Sequence, residues 1–97
     1  MPSRPDFLIP SREYAARLYA KLQALGDLPM WTVYSPFTAG HAGLWRARLF
    51  RTLPKAVPTR FVIIEDRLAV LHEMLPLGVY RLERQADDLP EIVEVWL

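Results

Sequence analysis

The chain has 97 residues, 52% of them hydrophobic and 24% charged, with a formal net charge of +1 and no cysteine. That length supports one domain around one core, and the composition excludes a disordered chain. The missing cysteines exclude disulfides and thiolate chemistry. No apolar run approaches the ~20 residues that span a bilayer, and "MPSRPDFLIPSR" lacks the long apolar stretch of a secretion signal. The expectation is a cytoplasmic protein of a bacterial host, with no membrane contact.

Charge is distributed unevenly. Residues 1–27 carry four bases and three acids. Residues 28–64 carry Arg46, Arg48, Arg51, Lys55 and Arg60 and no acid, whereas residues 65–97 carry eight acids against three arginines. Two readings follow: the segments neutralise one another within the fold or across a symmetric dimer, or the central stretch forms a basic patch.

Along the chain, Pro2, Pro5 and Pro10 predict an extended arm over residues 1–10. "SREYAARLYAKLQALG", residues 11–26, predicts a helix. Ser11 can cap it, Ala15, Leu18, Tyr19, Leu22 and Leu25 form one apolar stripe, and Gly26 ends it. Residues 30–97 are expected to form a sheet with one further helix. "MWTVYS" alternates as a strand, with Trp31 and Val33 on one face. "PFTAGHAG" is a loop. "LWRARLFR" alternates again, with Trp45, Ala47 and Leu49 opposite Arg46, Arg48 and Phe50. "RFVIIE" is apolar on both faces, the profile of a central strand. "DRLAVLHEMLPLG" predicts a second helix capped by Asp66, with Leu68, Leu71 and Leu75 turned inward. "VYRLER" and "EIVEVWL" predict the last two strands, with "QADDLP" as the turn between them. The order α-β-β-β-α-β-β implies a single α+β domain spanning residues 1–97, with a mostly antiparallel five-stranded sheet; either both helices pack on one face, or the first crosses to cover the other.

The terminal strand has two apolar faces. We expect Val93, Val95 and Leu97 to meet the helices, and Ile92 and Trp96 to join Met30, Tyr34 and Phe50 on the other side. A sheet face that mixes these aromatics with Arg46 and Arg48 and lies uncovered marks a partner surface. The candidate partner-binding residues are Tyr34, Arg46, Arg48, Phe50, Arg51 and Trp96.

Tests for catalytic chemistry return little. His41 and His72 are the only histidines. His72-Glu73 has no second histidine at i+4, so it is not a metalloprotease pair, and it reads as a solvated helix histidine. His41 lies on a loop without a neighbouring Ser, Cys or acid. Asp87-Asp88 reads as a solvated turn, and Gly40 and Gly43 make no phosphate loop because no Lys-Ser or Lys-Thr follows. No cofactor or metal site is expected, and the reading is non-enzymatic. "RARLFR" has the outline of a stacking and phosphate-binding platform, but so few cations would bind nucleic acid weakly and in a salt-sensitive way. A homodimer through the strand edge or the Trp96 face is the third reading.

The stretches "WTVY", "PTRFVII", "LPLGVYRLER" and above all "DDLPEIVEVWL" resemble a set of small uncharacterised proteins common in proteobacterial genomes and their prophages. The resemblance covers roughly residues 30–97. Where those relatives often have a Pro-Asp-Tyr-Pro-like turn after the first strand, this chain has "SPFTAGHAG". Residues 1–28 look like an added helix. The resemblance carries no activity and no functional residue. It implies a phage or mobile-element setting, in which small motif-free proteins bind and inhibit a host protein complex. An anti-CRISPR protein acting on a CRISPR effector is one such class.

Overall fold

The computed structural model describes residues 5–38, 40–83 and 89–97. It is α+β, with two helices packed on one face of a six-stranded mixed sheet. The strands are β1 (Phe7–Leu8), β2 (Met30–Tyr34), β3 (Trp45–Arg51), β4 (Val57–Glu65), β5 (Arg81–Leu82) and β6 (Ile92–Trp96). The helices are α1 (Arg12–Ala24) and α2 (Leu68–Met74). The sheet order is β1-β4-β3-β2-β6-β5. All pairs are antiparallel except β1 with β4, which is parallel.

The expectation of five strands is therefore short by one. Phe7 and Leu8 of the N-terminal arm pair with Phe61 and Val62, and Ile9 N–H donates to the Val62 carbonyl. Phe7 stacks on Tyr14 and meets Phe61 edge-on, while Ile9 enters the core. These apolar contacts fix an arm whose prolines cannot themselves extend a hydrogen-bonded ladder.

Helix α1 begins as its sequence predicts. Ser11 is in extended geometry, and its hydroxyl accepts the Tyr14 N–H at 3.1 Å, satisfying one of the otherwise unpaired first-turn donors. Ala15 is fully buried, and Tyr14, Leu18, Tyr19 and Leu22 pack around the core. Helix α2 is shorter than expected. Its N-cap is Arg67 rather than Asp66, and no side chain caps it. Packing holds it instead: Leu71 and Leu75 are buried, and Arg12 Nε of α1 donates to the Leu75 carbonyl at 3.0 Å.

Trp31, Val33, Ala47, Leu49 and Ile63 form the helix-facing layer of the sheet and are completely buried. Strand alternation then turns Met30, Thr32, Tyr34, Arg46, Arg48, Phe50 and Val62 to the opposite face. The terminal strand lies inside the sheet between β2 and β5, as a staple should. Its facing is as expected at Ile92 and Val93, which lie on the helix-free face and against the core respectively, and is the reverse of the expectation from Glu94 to Trp96. Trp96 pairs with Trp31 and Glu94 with Val33, so both point toward the helices, while Val95 pairs with Thr32 on the other side. A β-bulge between Val33 and Tyr34 brings Ile92 opposite Tyr34. Glu94 can occupy the helix side because three groups donate to it there. Its Oε1 lies 2.7 Å from His72 Nε2 and 3.2 Å from Trp96 Nε1, and its Oε2 lies 3.5 Å from Arg81 Nη1. His72 is thus a structural partner of a buried carboxylate, not a freely solvated side chain.

Candidate interaction face

Both helices occupy one side of the sheet, and among the described residues no helix covers the other. The six candidate residues divide on this basis. Tyr34, Arg46, Arg48 and Phe50 lie on the helix-free face. Trp96 does not: it packs beneath α2, with its ring 5.3 Å from that of His72. Arg51 stands at the end of β3, bound to Asp27 by Nε at 2.7 Å.

Asp27 is the centre of a compact polar knot. Its carboxylate accepts the Arg51 Nε–H and the backbone N–H groups of Leu28, Thr52 and Leu53. The Arg51 hydrogen bond and then the backbone donors hold its carboxyl down at about 2, against the opposing effect of burial. Asp27 thereby ties the connection after α1 to the end of β3, and Arg51 is largely committed to that role.

Arg48 is committed as well. Its Nη1 and Nη2 donate to the two oxygens of Asp6, each at 2.9 Å, and Nη1 also donates to the Thr59 carbonyl at 2.8 Å. The hydrogen bond from Arg48 lowers the Asp6 carboxyl below its ordinary range, with desolvation opposing and the charges of Arg48 and Arg46 assisting. Arg60 lies over the rings of Phe7 and Phe61, at 5.7 and 5.5 Å. The basic central segment is thus largely a set of structural cations. The reading that the charged segments neutralise one another within the fold covers these pairs, but it could not name the partners, because Asp6 and Asp27 lie far away in the chain.

Arg46 differs. Among the described residues it makes no hydrogen bond or ion pair, and its Nε is sealed from water without an acceptor. It lines a depression of about 180 Å³ with Tyr34, His41, Arg48 and Val62. Tyr34 meets the His41 ring edge-on at 6.0 Å, and His41 Nδ1 donates to the Ser35 carbonyl at 3.1 Å. Burial raises the Tyr34 phenol above its ordinary value; the Arg48 charge opposes this and the Glu91 charge adds to it. Hydrogen bonds hold the start of the loop after β2. Ser35 N–H donates to the Glu91 carbonyl, and the Ser35 hydroxyl accepts the Phe37 N–H, which leaves the Phe37 ring 93% exposed.

The other end of the face is apolar. Met30, Phe50, Ile92, Val95 and Leu82, with Thr32 and Glu83, line a groove of about 390 Å³. Of these only Phe50 was a candidate; Met30 and Ile92 were expected on this face, and Val95 was not. The reversed facing of β6 brought Val95 here, and no sequence signal marks that reversal.

Among the described residues no three His, Asp or Glu side chains gather as a metal site, and no helix is long and apolar enough to cross a membrane. Asp87-Asp88 lies outside the described residues. No family model, curated protein or solved structure matches the chain.

Proposed function

We propose that this protein is a non-enzymatic binding module that docks a host protein complex on the helix-free face of its sheet. The observation that carries this reading is the face itself, which has an apolar groove at one end and, toward the other, an arginine with no hydrogen bond or ion pair among the described residues. Apolar surface beside a well-placed arginine is the composition of a protein-binding hot spot. The resemblance to prophage proteins supports an inhibitor of phage or mobile-element origin, with an anti-CRISPR protein as its most specific form.

The nucleic-acid alternative is less well supported. A phosphate-tracking surface needs several available cations, and Arg48 and Arg51 are ion-paired while Arg60 lies over two phenylalanine rings.

The test is a tagged pull-down from nuclease-treated host lysate, comparing the wild-type bait with Phe50→Glu. Phe50 is half-buried on the open face rather than in the core, so the variant should keep the fold, which circular dichroism will check. One host complex enriched by wild type and lost with Phe50→Glu is expected. If that complex is a CRISPR effector, the purified protein should block its target cleavage. A folded bait that enriches no complex overturns the reading.

A further inference from the structure

We infer that the Arg46 depression is an anion subsite that receives one carboxylate from a polypeptide partner, beside the groove that takes the partner's apolar side chain. This inference rests on the docking reading above and specifies the partner's chemistry.

Three observations support it. First, Arg46 makes no hydrogen bond or ion pair among the described residues, and its Nε is buried without an acceptor. A carboxylate entering the depression is matched by the terminal Nη donors, with the buried Nε out of its reach. Second, the depression is small. At about 180 Å³ it lies below the usual ~300–1,000 Å³ of a whole-ligand pocket, so it accommodates one group rather than a nucleotide. Third, its neighbours are of mixed character. Tyr34 offers a phenol, Val62 an apolar floor, and Arg48 a second positive charge already held by Asp6.

The two local acids set a limit on affinity. Asp6 acts electrostatically with Arg46 while bonded to Arg48, and Glu91 faces Tyr34. The site therefore gains from one added negative charge and repels a dense run of them. That favours an Asp or Glu side chain, or a chain-terminal carboxylate, over a phosphodiester chain. Arg46 and Phe50 are four residues apart on β3, roughly 13 Å along the strand. A fitting partner surface presents an acidic and an apolar group at about that separation.

The experiment follows the arginine Nε–H resonances of the isotopically labelled full-length protein by NMR, with Arg46 assigned through its own backbone. Sodium acetate replaces sodium chloride at constant ionic strength in one arm, and an eight-residue oligothymidylate is added in the other. The expected result is a saturable shift of the Arg46 Nε–H with acetate, while the Arg12, Arg48 and Arg51 resonances move little. No saturable shift, or an equal drift of all arginines, overturns the subsite. A stronger selective response to the oligonucleotide than to acetate overturns the assignment to a polypeptide. Because acetate needs no host partner, failure here is separable from failure of the pull-down.

Discussion

Ser11 and Asp27 bracket helix α1, and each performs a task that a single substitution can isolate. Ser11 supplies the acceptor for the Tyr14 N–H. Ser11→Ala should cost about 1 kcal/mol, whereas Ser11→Gly should cost only a few tenths; urea denaturation of the two variants will show the difference. Asp27 is held at about 2 by Arg51 and by backbone donors. Its folded-state value is depressed, so its contribution is complete above the ordinary value of 3.8 and is lost as pH falls toward 2. The melting temperature of wild type should therefore drop between about pH 4 and pH 2. Asp27→Asn should melt several degrees lower at pH 7 and converge on wild type near pH 2, as a pH series of thermal melts will record. Legibility at this scale was uneven. Ser11 could be recognised because capping is local in sequence. The Arg51–Asp27 and Arg48–Asp6 pairs could not, because they join residues 24 and 42 positions apart.

At the scale of elements, what could be read depended on whether the pattern was one-sided. Strands β2 and β3 alternate between large apolar and polar or mixed positions, and their core faces are where alternation put them. Strand β6 is apolar on both faces, so its period of two names two solutions and selects neither. The deciding feature is the buried carboxylate of Glu94, which is tolerated on the helix side only because His72, Trp96 and Arg81 surround it. Strand β1 escaped because two residues among prolines carry no periodicity. Two predictions belong here. Leu71 is fully buried between α2 and the sheet. Leu71→Ala should destabilise by about 2–5 kcal/mol, lowering the melting temperature by at least ~8 °C in a calorimetric scan. A chain ending at Glu94 loses Trp96 and Val95 from a strand with neighbours on both sides. It should show no cooperative thermal transition; one near that of wild type would contradict the placement of β6.

For the whole molecule, the segregation of charge along the chain turns out to be mainly architectural. Arg48 and Arg51 of the basic middle are paired with acids of the first 27 residues, Asp6 and Asp27, Arg60 lies over two phenylalanine rings, and the buried acid of the C-terminal third draws its donors from His72, Arg81 and Trp96. The protein should accordingly show little affinity for single-stranded nucleic acid even at low salt, which fluorescence anisotropy with a labelled oligonucleotide will measure. Strong binding with a steep salt dependence would contradict that balance.

The clasp between Asp6 and Arg48 gives the arm a role beyond lengthening the sheet. It means that the ionic character of the exposed face is governed in part by a residue outside the strands whose side chains line that face. A single change of Asp6 to a neutral residue would release Arg48 beside Arg46 and leave two guanidinium groups side by side, with every core position intact. The charge of the exposed face and the packing of the core are thereby set by different residues, and selection can rewrite the first without touching the second.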